Sequence, residues 1–420
     1  MSPGHGGHDL TSAVPVEQHV ADVTRLVRPL TPVDRPLDEA AGCALAAGLT
    51  ARAALPPFGN SAMDGYAVRA ADVIGATADA PVTLPVSGEI AAGDTRDWTV
   101  TPGQCLRIMT GARLPSGADA IVPVEWTDGG TGSDGGTGKV TVRQAAAVGN
   151  AVRRAGDDAQ AGDVLLPAGT LLGPAQLGLA AAAGHATLLV RARPRVVIVS
   201  TGNELVEPGA PLIPGQIWES NSHLLAAAAR QAGCQATRVP AVPDDPRALL
   251  ATLEAQLPHA DLLITSGGVS MGGENDVVKA ALSALGTVTF RKVLVQPGMP
   301  QGFGVLGPGR TPVFTLPGNP VSAYVSFQIF VRPALDALLG TRALTLPVTR
   351  ARLSGPARAP AGRRAYLRGV LDRAAGTVAP LGRQGSHQLA ALGLANALII
   401  APEETVALAE NDEVDVLVLP

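Results

Sequence analysis

The sequence predicts a multidomain α/β protein, and three observations carry that prediction. Between residues 195 and 340, apolar β-branched runs alternate with helical stretches, the rhythm of βαβ units around a parallel sheet. Three of these runs stop at small, glycine-rich turns: Ser200-Thr-Gly-Asn-Glu204, Ser266-Gly-Gly-Val-Ser270 and Leu316-Pro-Gly-Asn-Pro-Val-Ser322. On either side, residues 60–149 and 343–420 hold short β-like runs between glycine turns, the pattern of small β domains. A chain of 420 residues has room for roughly two to four domains.

Residues 1–14 carry no periodicity. A helical pattern runs from Val16 to Leu49, with Val20, Val23, Leu26 and Val27 on one face. Leu55-Pro-Pro-Phe58 marks a boundary. Ala80–Val86 and Lys139–Arg143 read as strands. The Asp128–Gly138 stretch lacks the Gly-Lys-Ser/Thr ending of a phosphate loop and reads as a hairpin tip. Gly162–Leu172 reads as turn and strand. A helix follows over 174–183, with Pro174 near its first position and Gly184 past its end.

The βαβ rhythm then predicts a strand at 195–200 and a helix at 221–232 closed by Gly233. Strand 236–242 precedes helix 246–257, and strand 261–265 precedes helix 275–284. Strands near 288–295 and 312–316 and a long helix over 320–339 complete a three-layer, parallel-sheet domain. The final residues, Val414-Asp-Val-Leu-Val-Leu-Pro420, end a β-barrel-like region.

Composition narrows the function. The chain is 46% hydrophobic but 3% aromatic, so its cores are aliphatic. A net charge of -4 argues against nucleic acid and membrane surfaces as partners. Cys43, Cys105 and Cys234 lie too far apart for a metal motif or a disulfide framework, which points to the cytoplasm. The N-terminal residues have no basic and apolar signal pattern. The longest apolar candidate, Leu177–Val190, falls short of the roughly 20 residues that span a bilayer.

The chemistry is expected where the strands end. In open α/β sheets, ligands bind beyond the carboxyl ends of the strands. Ser200, Thr201 and Gly202 let backbone approach a ligand closely, and Glu204 sets a carboxylate at the lip. Ser266, Gly267, Gly268 and Ser270 form an anion-binding nest with hydroxyl donors. Asp276 is either the cap of the next helix, with Lys279 three residues on, or a Mg²⁺ ligand. Asp244-Asp245-Pro246 allows the same two readings. Asn60-Ser-Ala-Met-Asp-Gly-Tyr66 and Arg107-Ile-Met-Thr-Gly-Ala112 place an acid and a hydroxyl at turns in the β-rich region. Gly362-Arg-Arg-Ala-Tyr-Leu-Arg-Gly369 and Gln384-Gly-Ser-His387 add guanidinium and hydroxyl groups.

Together these motifs resemble the molybdopterin molybdenumtransferases, the MoeA family that includes the C-terminal domain of gephyrin. The likeness runs from about residue 15 to the end. It implies four domains: a discontinuous, elongated one from 15–52 and 150–190, an inserted β-rich domain at 53–149, a molybdopterin-binding α/β domain at 191–340, and a C-terminal β-barrel-like domain at 341–420. It implies a homodimer and, as partner, a molybdopterin adenylyltransferase. The implied reaction takes adenylylated molybdopterin and molybdate, inserts molybdenum and releases AMP with Mg²⁺.

By motif, the resemblance assigns catalytic roles to Asp64, Thr110, Glu204, Asp244 and Asp276, with Glu204, Asp244 and Asp276 toward Mg²⁺. Asp158 matches a further acidic position. Pro317, Gly318, Asn319 and Pro320 belong to the pterin-side wall, and Lys292, Arg363 and Ser386 to the oxyanion-handling set. Two departures stand out. Gln296-Pro-Gly-Met-Pro300 replaces a Lys-Pro-Gly-Lys-Pro common in the family, and Met271-Gly-Gly-Glu-Asn-Asp276 is one residue longer than the common form. A pterin adenylyltransferase and a non-catalytic molybdopterin-binding scaffold stay open as alternatives.

Overall fold

The computed structural model describes residues 12–129, 138–268 and 277–420. The chain divides into two compact units, one of residues up to 47, 169–173 and 189–420, the other of 48–168 and 174–188.

The first unit centres on a six-stranded sheet. Its elements are β1 (Arg195–Thr201), α1 (Asn221–Gln231), β2 (Gln235–Val242), α2 (Pro246–Gln256), β3 (Leu262–Ser266), α3 (Val277–Ala284), β4 (Val288–Lys292), β5 (Pro300–Leu306) and β6 (Thr311–Leu316). The strand order is β2-β1-β3-β6-β5-β4, parallel from β2 to β6. Alternation along β1 splits the core in two. Val196 and Ile198 pack with Leu225 and Ala229 of α1, while Val197 and Val199 pack with Leu249 of α2 and Leu282 of α3. Helices thus cover both faces, as a parallel sheet requires. Asp245 caps α2 through the amides of Arg247 and Ala248, and Pro246 follows at the first helical position.

The sheet departs from the all-parallel expectation. β5 runs antiparallel to both β4 and β6 and was not foreseen, and β4 stops at Lys292, not near 295. Pro300-Gln-Gly-Phe-Gly304 lacks the β-branched run that marks a strand. Its glycines serve close approach: a Cβ at Gly302 would strike the Thr315 hydroxyl, and one at Gly304 the Thr287 carbonyl.

The N-terminal helix is also shorter than expected. It spans Val16–Leu26 and stops there, because Pro29, Pro32 and Pro36 cannot continue it. Its buried face carries His19, wedged edge-on against Phe303 and Phe330. The His19 Nδ1 accepts from Arg291 Nε at 2.9 Å, and Arg291 reaches Asp22 at 2.8 Å. After β6, the long helix forms as Pro320–Ser326, a π turn over Phe327–Val331, and Arg332–Leu339, ended by left-handed Gly340.

The C-terminal strands close into a barrel. Arg364–Asp372 pairs with Thr377–Pro380 on one side and Ala397–Ala401 on the other. Ala397–Ala401 pairs with Glu413–Val418, which pairs with Val348–Leu353, which returns to Thr377–Pro380. Leu367, Val378, Ile399 and Val416 fill its core.

The second unit holds a five-stranded sheet ordered Ala120–Pro123, Gly65–Val68, Cys105–Ile108, Val82–Ile90, Lys139–Val142. Tyr66, Leu84, Val122 and Val140 pack on one of its faces. The helix Pro174–Ala182 forms as expected, and Gly184 has φ 85°. Among the described residues, no helix is long and apolar enough to cross a membrane.

Candidate functional site

A crevice of about 860 Å³ opens beyond the carboxyl ends of β1, β3 and β6. That volume suits a small organic ligand. Ser200, Thr201, Gly202, Glu204, Asp244, Ser266, Gly267, Gly268, Pro317, Gly318, Asn319 and Pro320 all line it. β1 and β3 are in register, Ser200 beside Ser266, and Ser266 beside Leu316 of β6. Three turns therefore meet on one wall. Gly267 holds φ 101°, and a Cβ there would lie 2.7 Å from the Thr201 carbonyl, so the turns pack backbone to backbone.

The rim is acidic and exposed. Glu204 and Asp244 both face solvent. Asp244 Oδ2 accepts from the Asn203 amide at 3.2 Å, and Asn203 Oδ1 accepts from the Asp244 amide at 3.1 Å. Asp244 is thereby oriented from the neighbouring strand end, and Asp245 is the residue that caps α2.

The floor is polar and buried. Glu219, 2% exposed, accepts from Ser200 Oγ at 2.8 Å, the Ser222 amide at 2.8 Å and Ser222 Oγ at 2.5 Å. Arg238 lies 3.4 Å away. Burial pushes the Glu219 carboxyl up, but the bonds from Ser222 and Ser200 and the Arg238 charge outweigh it and hold it below the ordinary value. Glu219, Asn221, Trp218 and His387 line the crevice and were not singled out as site residues. Glu219-Ser-Asn-Ser222 is a run of polar residues leading into α1, and that run is the available signal.

Of the other expected residues, Ser386 and Lys292 adjoin lining residues of the crevice. Ser386 Oγ bonds Asn319 Nδ2 at 3.0 Å, and its carbonyl accepts from the Val321 amide. Lys292 ends β4 opposite Pro300, a lining residue. Arg363 donates to Gln296 Oε1 at 3.1 Å, and desolvation holds its guanidinium below the ordinary value. Met299 is buried. Lys279 sits on α3, outside the lining set. Ser270 and Asp276 lie outside the described residues. Among the described residues, no three acidic, histidine or cysteine side chains cluster as a metal site.

Asp64, Thr110 and Asp158 belong to the second unit. Asp64 Oδ1 accepts from both the amide and the hydroxyl of Thr110, each at 2.7 Å. The hydroxyl bond, then the amide bond, holds the Asp64 carboxyl below its ordinary value. Asp158 is exposed.

Fold and site define a multidomain α/β protein with its ligand crevice at the tips of a mainly parallel sheet. Three family models match it in succession: the MoeA N-terminal region (domain I and II) over residues 14–184, a probable molybdopterin binding domain over 197–337, and the MoeA C-terminal region (domain IV) over 350–419. The chain is 46% identical to molybdopterin molybdenumtransferase 2 of Mycobacterium tuberculosis, over 96% of this chain and 98% of that one. It is 39% identical to molybdopterin molybdenumtransferase 1 of the same organism, with the same coverage. The crystal structure of a molybdopterin biosynthesis MoeA protein from Pyrococcus horikoshii matches with a TM-score of 0.79 at 27% identity, over 97% of this chain and 100% of that one. The chain belongs to the MoeA family of molybdopterin molybdenumtransferases.

Proposed function

We propose that this protein is a transferase of molybdenum cofactor biosynthesis that inserts molybdenum from molybdate into adenylylated molybdopterin and releases AMP. The observation that carries the reading is the crevice shared by three strand ends, with the exposed carboxylates of Glu204 and Asp244 on its rim. Similarity to transferases along the whole chain supports it.

Glu204 and Asp244, with Asp276 outside the described residues, are the carboxylates assigned to a magnesium ion. Mg²⁺ commonly takes one or two carboxylates and completes its shell with water and substrate phosphates. When bound, it would offset the negative charge of the phosphoanhydride. The protein's own groups do the rest. Asn203 orients Asp244, the β1, β3 and β6 turns shape the wall, and Asn319 with Ser386 extends it. Arg363 and Lys292 are assigned to molybdate, with Gln296 tied to Arg363 where the family resemblance implies lysine. Asp64, held as an anion by Thr110, and Asp158 are assigned to the same reaction in the second unit.

The same reading takes the protein as a four-domain homodimer, divided as the resemblance implies, that receives its substrate from a molybdopterin adenylyltransferase. Purified protein incubated with adenylylated molybdopterin, Mg²⁺ and molybdate should release AMP and yield active cofactor. Binding without AMP release would defeat the assignment.

A further inference from the structure

The floor of the crevice has a fixed hydrogen-bond polarity. An ionised carboxylate only accepts. Glu219 therefore takes the Ser200 hydroxyl proton, at 2.8 Å, and leaves Ser200 with lone pairs alone for a ligand. Asn221 is fixed in the same sense. Its amide nitrogen donates to the Gly318 carbonyl at 2.6 Å, a group that can only accept, and to Ser266 Oγ at 2.8 Å. Both amide protons are committed. Its Oδ1 is buried and has no hydrogen-bond partner among the described residues. Ser266 in turn directs its hydroxyl to the Pro317 carbonyl at 3.5 Å. Beside Ser266, whose hydroxyl is expected to face a ligand but is directed to Pro317, the floor thus offers acceptors at Ser200 and Asn221. Thr201, 5% exposed with its Oγ1 unpartnered among the described residues, can serve either way.

An acceptor buried without a donor costs free energy, and a ligand N–H placed there recovers it. An oxyanion placed there would meet lone pairs, with the Glu219 carboxylate behind them. We propose that Ser200 and Asn221 form an accepting subsite that takes the N–H-rich edge of the substrate's heterocycle, the aminopyrimidinone of a pterin, and not its phosphate. This rests on the molybdopterin reading above and assigns the pterin end of that substrate, away from its phosphoanhydride. Trp218 lines the same crevice, its indole N–H committed to the Ala210 carbonyl at 2.8 Å, and adds a flat apolar surface for the ring. Glu219 is a positioning residue: it sets the direction of the Ser200 proton and need not touch the ligand.

The test uses the full-length protein and two free heterocycles, pterin and lumazine. Lumazine carries a carbonyl where pterin carries its 2-amino group. Fluorescence titration should show pterin binding at least about tenfold more tightly, because a carbonyl would oppose Asn221 Oδ1. Glu219→Gln can donate to Ser200 and turn its proton toward the ligand, so the pterin preference should fall at least about threefold. A loss of structure alone would weaken both ligands without changing their ratio. Millimolar inorganic phosphate should leave pterin bound. Equal affinity for the two rings on the unmodified protein, no measurable pterin binding, or competitive displacement by phosphate would each overturn the proposal, whether or not the variant folds. Loss of AMP release with the pterin preference intact would defeat the proposed activity and leave the subsite standing.

Discussion

The rim and the floor of the crevice use the same side-chain chemistry to opposite ends. Glu204 and Asp244 on the rim are exposed, and among the described residues the one hydrogen bond to an Asp244 side-chain oxygen comes from the Asn203 amide. Glu219 on the floor is buried, and both its oxygens are taken by Ser200, Ser222 and Arg238. A carboxylate with open coordination can meet a cation or a reacting group. One with its acceptors filled can only organise its neighbours. In this crevice two acidic side chains of the same chemistry thus differ in how many of their acceptors are already used.

That contrast breaks most readily at Glu219. Glu219→Ala would strand the hydroxyls of Ser200 and Ser222 and remove a partner of Arg238, and should cost about 2–4 kcal/mol of stability by denaturant unfolding. A loss no larger than that of a surface substitution would put floor and rim on the same footing. Glu204→Ala and Asp244→Ala should each lower AMP release by about 10–100-fold. Their unfolding free energies should stay within about 0.5 kcal/mol of the unmodified protein. Unchanged turnover in both would remove the reacting role from the rim.

A third measurement extends the contrast to a buried base. Burial, then the Arg291 charge, pushes the His19 imidazole down from 6.5 to about 3. A lowered folded-state value means that the unfolded chain binds the proton first. The stability that neutral His19 confers is complete above pH 6.5 and drains away as the pH falls toward 3. Melting temperatures from pH 7 to 4 should decline, and His19→Gln should flatten that slope. An identical slope in the variant would mean that other groups set it. The smallest effect belongs to Asp64. Asp64→Asn keeps an acceptor for Thr110 at an exposed site and should change stability by no more than about 0.5 kcal/mol. A larger loss would show that an exposed carboxylate can be as structural as Glu219.

The βαβ frame was legible because β1, β3 and β6 are dense in β-branched and apolar residues and end in glycine turns. β5 is hidden in the sequence, since its proline and two glycines carry no strand signal; Gly302 leaves room for the Thr315 and Phe290 side chains and Gly304 for the Thr287 backbone. The N-terminal helix is shorter than its apolar periodicity predicts because three prolines follow its last turn. Most crevice-lining residues of the sequence reading sit at strand tips, where topology alone predicts convergence. Glu219 and Asn221 escaped because burial of a polar residue depends on three distant segments packing over it, and no local pattern records that. Gln296 and Met299 stood out as departures, but only coordinates reveal that one engages Arg363 and the other is core.

The C-terminal ring has a consequence for assembly. Arg364–Asp372 is covered at its start by Val295–Gln296 and beyond that by Thr377–Pro380, while Ala397–Ala401 lies along its other flank. Little unpaired main chain remains along that strand to recruit a foreign strand. Any second molecule meeting this part of the surface would have to recognise side chains, which makes such a contact selective and guards against runaway polymerisation.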